Sequence, residues 1–181
     1  MIVQLPLPIQ INRQKILDLI DPRKDIDCLT TENLKKFYNG NFTLVSPTVG
    51  ALKSILESLN IESLKNKKVT VVGAGMLVGK PTAAWLKYQG ANVSVIDQNT
   101  TDEMRTADLK QANITVSGVG KKDLITGADI TPNSIIVDFG YPPDIEAESV
   151  AKVAAHYTPT PGGTGPIVVA ELFKNFYQLN S

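Results

Sequence analysis

The chain has 181 residues, 18 basic and 18 acidic side chains, no formal net charge, and 43% hydrophobic residues. That length suits one α/β domain with a real core plus a short appendage, and the even charge balance argues against a nucleic-acid or membrane-surface protein, which needs a concentrated basic face. Cys28 is the only cysteine, so no internal disulfide forms and a reducing compartment is expected.

The opening "MIVQLPLPIQ" has no basic region of a signal peptide. No apolar run approaches the ~20 residues that span a bilayer, so a cytoplasmic location is expected. The two prolines of "QLPLP" (Gln4 to Pro8) exclude helix and central strand there. "NRQKILDLI" (Asn12 to Ile20) places Ile16, Leu17 and Ile20 on one helical face behind an Asn12 cap. "DPRKDID" reads as a charged turn, and "TENLKKFYNG" as a short helix closed by Gly40. A further amphipathic helix fits Thr48 to Leu59.

From Lys67 the rhythm changes. Val- and Ile-rich runs alternate with helical or loop spacers, and the expected strands are Lys68–Val72, Asn92–Ile96, Ile114–Val119, Ser134–Phe139 and His156–Thr158. Continuous apolar runs fit strands buried on both faces of a parallel sheet. Their alternation with helices predicts a Rossmann-type, doubly wound α/β fold with helices on both faces. "GPIVVAELFKNFYQL" is the closing helix.

The sharpest local signal is "VTVVGAGMLVGKP" (Val69 to Pro81), a strand running into Gly73, Gly75 and Gly79 and then a helix start. Such glycines permit a tight turn and close backbone approach to a pyrophosphate, which the helix N-terminus attracts. The same glycines also serve ordinary strand-to-helix turns; the flanking strand and helix favour the nucleotide. Asp97 ends the next strand, where an acidic residue accepts from the adenosine ribose hydroxyls and repels a 2′-phosphate. NAD is therefore expected in preference to NADP. His156, the sole histidine, starts a strand and reads as structural.

Four motifs, "VQLPLP", "DPRKDID", "GMLVGKP" and "TPTPGGTGP", occur in one order across the chain. Together they closely resemble the bifunctional methylenetetrahydrofolate dehydrogenase/methenyltetrahydrofolate cyclohydrolase family. The resemblance covers essentially the whole chain but begins part-way through the family pattern. It implies that residues 1–45 are a remnant of the folate-binding catalytic domain and residues 46–181 the NAD(P)-binding domain with its C-terminal helix. Gln4 matches the glutamine that helps hold the catalytic lysine and the folate, and Asp27 the aspartate that hydrogen-bonds the pterin. The cofactor-binding set it implies is Gly73, Ala74, Gly75, Met76, Leu77, Val78, Gly79, Asp97, Gly118, Val119, Gly120, Gly162, Gly163 and Thr164, with no metal. A folate-type substrate and a homodimer follow from the same resemblance. Apolar surface around "QLPLP" and the last helix also favours association.

The chain departs from the family in several places. The Tyr-x-x-x-Lys motif that supplies the catalytic lysine lies upstream of "VQLPLP" in the family and has no counterpart in these 181 residues. Cyclohydrolase chemistry needs a group that activates water and handles protons, so hydrolysis by this stretch alone is expected to be negligible. The family "GRSxxVGxP" reads "GAGMLVGKP", placing Ala74 at the arginine and Gly75 at the serine. Asp97, Gln98 and Asn99 replace the "HSR" of NADP users, and both changes favour NAD. "PCTP" reads "VSPT" (Val45 to Thr48), leaving the domain-joining loop open, and "GDVDF" is replaced by a shorter "VDFGYPPDIEAESV". Two readings stand: an NAD-dependent methylenetetrahydrofolate dehydrogenase in partial form, or a dinucleotide-binding module without folate chemistry.

Overall fold

Five short strands frame the computed structural model, which describes residues 1–181. They are β1 (Lys68–Val72), β2 (Asn92–Ile96), β3 (Ile114–Ser117), β4 (Ile135–Asp138) and β5 (His156–Tyr157), all parallel, in the order β2-β1-β3-β4-β5. Each expected strand is present. β3, β4 and β5 are shorter than the sequence suggests: Gly118 and Val119, Ser134 and Phe139, and Thr158 fall outside the strands, although the Phe139 and Thr158 N–H groups still donate to Ser117 O and Ile136 O.

Side chains alternate across a strand, and here the alternation divides the core in two. Val69, Val71, Ile114, Val116 and Val137 join one buried cluster with Leu52 and Leu56 of α3 (Pro47–Ser58) and Trp85 and Leu86 of α4 (Gly79–Tyr88). Val72, Ile96 and Ile136 join the other, with Leu109 of α5 (Asp102–Gln111) and Val150 of α6 (Ala147–Val150). Each fully buried Val, Leu or Ile contributes roughly 1.5–3 kcal/mol, so both faces of the sheet are held. The doubly wound expectation is met.

The first 45 residues add α1 (Arg13–Leu17), capped by Asn12, a 3-10 turn at Pro22–Lys24, and α2 (Thr31–Tyr38), whose chain reverses at Gly40 with φ +85°. Cys28 and Phe37 enter the α3–α4 side of the core. The "VSPT" joint is regular: Ser46 caps α3, Pro47 opens it, and the Thr48 hydroxyl donates to Leu77 O at 2.6 Å. The last helix, α7 (Thr164–Asn180), ties this segment down. Asn175, 3% exposed, donates to Ile26 O and Val45 O at 2.8 Å each. Gln178 reaches Thr43 O, and Glu171 fills the space that a Cβ on Gly50 would need while accepting from Ser54.

From β1 the chain steps outward to β2, then returns past β1 to β3. The loops leaving β1 and β3 therefore part at the C-terminal edge of the sheet. In open parallel sheets this switch point is where ligands bind. No helix is long and apolar enough to cross a membrane.

Candidate functional site

Two glycines of the turn after β1 are required by its geometry, each for a separate reason. Gly73 has φ +98°, a left-handed conformation that side chains disfavour. A Cβ on Gly79 would lie 1.9 Å from Gly73 O, so α4 can begin this close to the turn only as glycine. Around Gly75 there is open space. The N–H groups of Ala74, Gly75, Met76, Leu77 and Val78 make no hydrogen bond within the chain. Val78 caps α4 without a side-chain bond. Consecutive free N–H groups before an uncapped helix start form an anion cradle, with the helix dipole adding to them.

Beside this cradle lies a cavity of about 570 Å³, lined by Gly73, Ala74, Asp97, Gln98, Thr100, Asp102, Arg105, Val119, Lys121 and neighbouring apolar residues of β1, β2 and Leu124. Its size falls in the usual range for small-molecule sites. Asp97 sits one residue beyond β2. Its Oδ1 accepts from the Asn99 N–H at 2.8 Å and the Thr100 hydroxyl at 3.4 Å, which leaves Oδ2 for a ligand. The structure thus brings Gly73 and Ala74 of the glycine-rich turn, Asp97 and Val119 together around one space, while Gly75, Met76, Leu77, Val78 and Gly79 do not line it.

Gly118 and Gly120, expected in the same set, do not line that space. Gly118 and Gly120 flank Val119, and a Cβ on Gly118 would meet Val78 Cγ1 at 2.5 Å, so the loop after β3 leans on the turn after β1. Gly162 has φ +92° and open space around it, while a Cβ on Gly163 would strike Pro159 O at 2.2 Å. Thr164 is buried at the start of α7, its hydroxyl donating to Asp138 O at 2.8 Å. Gly162, Gly163 and Thr164 do not line the cavity.

Gln4 and Asp27 lie on the N-terminal segment, away from the cavity. Gln4 is exposed. Of the two aspartates in "DID", Asp25 is the structural one: fully buried, it accepts from Leu29 N, Thr30 N and Asn33 Nδ2 at 2.8–3.1 Å. Asp27 is half-buried with no such partners. Burial first, and then the nearby Asp25, push its carboxyl up to about 6. A carboxyl poised near neutrality can both donate and accept. His156 is exposed at the start of edge strand β5 and takes no part in the cavity.

Sequence reasoning did not find Arg105 and Lys121, the two cations of the cavity. Arg105 donates to Leu124 O, and its Nε is buried without a partner. It lies one turn inside α5, a polar helix whose pattern carries no motif. Also unforeseen were Asp138 and Asp144, buried behind the loop after β3; burial pushes the Asp138 carboxyl up.

Comparison with known proteins gives a consistent result. The bifunctional protein FolD of Nautilia profundicola is 38% identical over 183 residues, covering 97% of this chain and 63% of that protein. FolD of Staphylococcus carnosus is 34% identical over 182 residues, covering 96% of this chain and 63% of its own. Among solved structures, the methylenetetrahydrofolate dehydrogenase-cyclohydrolase of Trypanosoma brucei, complexed with NADP cofactor and inhibitor, superposes with a TM-score of 0.91. It is 31% identical, with 98% of this chain and 65% of that one covered. The chain therefore spans under two thirds of the length of these relatives. Residues 46–181 match the tetrahydrofolate dehydrogenase/cyclohydrolase NAD(P)-binding domain, and the chain belongs to that family.

Proposed function

We propose that the chain binds a nicotinamide dinucleotide at the turn after β1, with NAD preferred over NADP, and serves a methylenetetrahydrofolate dehydrogenase reaction. The observation that carries this reading is the run of free N–H groups from Ala74 to Val78, facing an uncapped helix start beside the cavity that holds Asp97. These N–H groups suit a pyrophosphate, and the free Oδ2 of Asp97 suits ribose hydroxyls. The nicotinamide, when bound, supplies the hydride acceptor. What the chain provides is grip, orientation and exclusion of water. Asp27 offers a half-buried carboxyl to the pterin of a folate-type substrate, and Gln4 stands on the same segment. Relatives named for this dehydrogenase support the substrate class. Self-association as a dimer belongs to the same reading, supported by Val169, Phe173, Phe176 and Tyr177 exposed along α7.

Arg105 and Lys121, cations in the same cavity, favour a second reading in which NADP is accepted as well. Calorimetric titration with both cofactors separates the two. NAD is expected to bind more tightly, and Asp97→Ser to narrow the gap by about 1–3 kcal/mol. Equal affinities in the wild type refute the Asp97 argument. Binding of a dinucleotide without binding of methylenetetrahydrofolate would leave the chain a cofactor module only.

A further inference from the structure

Two buried carboxyl groups act in series behind the cofactor cavity. Asp138 ends β4 and is 1% exposed; Asp144 follows in the next turn and is 0% exposed. Asp138 accepts from the N–H groups of Gly140 at 2.7 Å, Asp144 at 2.8 Å and Ile145 at 3.2 Å, which fixes the turn carrying Asp144. Asp144 then reaches across to the loop after β3. It accepts from the Ser117 hydroxyl at 2.6 Å, the Val119 N–H at 2.8 Å and the Lys121 N–H at 2.7 Å.

The carboxyl of Asp144 is wedged in place. A Cβ on Gly140 would lie 2.6 Å from its Cγ and Oδ1, so that position must remain glycine for the carboxyl to fit. On the far side, the loop it holds presses against the glycine-rich turn: Val119 Cγ2 stands 3.0 Å from where a Cβ on Gly73 would be. Val119 and Lys121 also line the cavity. Short hydrogen bonds to a carboxylate are the strong ones, and three of them hold Ser117 and the loop that follows, where the strand register ends at Ser117 and the Gly118 N–H still donates to Val72 O at 3.2 Å.

We infer that Asp144 is a positioning residue of the cofactor site: by holding Ser117, Val119 and Lys121 it sets the width of the crevice between the loops after β1 and β3. The inference rests on the cofactor reading above. It also accounts for how the shorter "VDFGYPPDIEAESV" builds this rim: one carboxyl from the turn after β4 reaches the loop after β3.

Asp144→Asn tests it, since the amide keeps the size but turns an NH2 group toward a donor of the loop. Circular dichroism first fixes a temperature at which wild type and variant are both folded. There NAD affinity, read by calorimetry, is expected to fall about tenfold to a hundredfold. Without ligand, the amide proton resonances of Val119 and Lys121 should move upfield. A purely structural role would lower the melting temperature and leave the affinity of the folded chain unchanged. Should Asp144→Asn fail to fold, Ser117→Ala decides, because it removes one donor and leaves both N–H bonds; its NAD affinity is expected to fall about threefold. Unchanged affinity in a folded Asp144→Asn chain overturns the inference, as does unchanged affinity in Ser117→Ala if the first variant cannot be read. A wild-type chain that binds neither NAD nor NADP overturns the cofactor reading, and this inference with it. Binding by the wild type with unaffected variants overturns the inference alone.

Discussion

Replacing Gly79 by alanine gives the most direct stability test of the glycine-rich turn. The added Cβ would sit 1.9 Å from Gly73 O, 2.7 Å from Gly73 C and 3.1 Å from Ala74 Cα. All three are backbone atoms, so no side chain can rotate away. Real Cβ atoms essentially never approach closer than 3.0 Å, so the turn and α4 must part. Overpacking of this kind costs about 1–3 kcal/mol, occasionally more, and a rigid backbone neighbour places Gly79→Ala near the upper end. At this chain length each kcal/mol moves the melting temperature by about 2–4 °C, so a drop of about 6–12 °C is expected. NAD affinity should fall too, because the free N–H groups move with the turn. Gly75→Ala is the matched control: nothing lies within 4 Å of its Cβ, and restricting the unfolded chain stabilises by about 0.4–1 kcal/mol. Thermal and urea unfolding of the three proteins, with NAD calorimetry on each, supply the comparison. A Gly79→Ala protein that melts with the wild type would refute the argument that close packing, rather than chance, put glycine there.

Asp27→Asn should separate function from stability. The folded carboxyl titrates at about 6, above its ordinary 3.8. Between those values the native chain binds more protons than the unfolded one, so wild-type stability falls as pH rises through the window. The variant lacks that loss and should be the more stable protein at pH 7 but not at pH 3, while folate affinity drops; urea unfolding at both pH values checks the sign, and a less stable variant at pH 7 contradicts it. Asn175→Leu strips one buried and one part-buried carbonyl of their donor and should cost about 2–4 kcal/mol. Exposed Gln178→Ala should stay within about 0.5 kcal/mol; equal urea midpoints for the two would show that Asn175 does not anchor the N-terminal segment.

The central strands β1, β3 and β4 were legible because they are buried almost throughout and read as runs of Val, Ile and Thr; the edge strands β2 and β5 are largely unburied and were marked by their place in the alternation with helices. α5 was not, since Leu109 is its only buried residue and the remainder, "DEMRTADLKQ", carries no apolar stripe. The turn carrying Gly73, Gly75 and Gly79 and the position of Asp97 were legible because both are local features: a turn at one strand end and a residue at the next. Arg105 and Lys121 enter the same cavity from different elements, and nothing adjacent in the chain marks them. Asp144 lies 23 to 27 residues beyond the atoms it holds, a separation no short pattern records. The "DID" stretch shows the limit most sharply. Asp25 and Asp27 differ only in where the fold sends their carboxyls, one into three donors and the other into a half-buried space without any.

A nicotinamide dinucleotide held by the turn after β1 would perturb the free N–H groups there before any other part of the chain. Amide proton–nitrogen correlation spectra recorded through a titration with NAD test it most directly. The largest shifts are expected at Ala74, Gly75, Met76, Leu77 and Val78, followed by Gln98, Val119 and Lys121 along the cavity. Saturating shifts confined to other parts of the chain, or none at millimolar NAD, would contradict it.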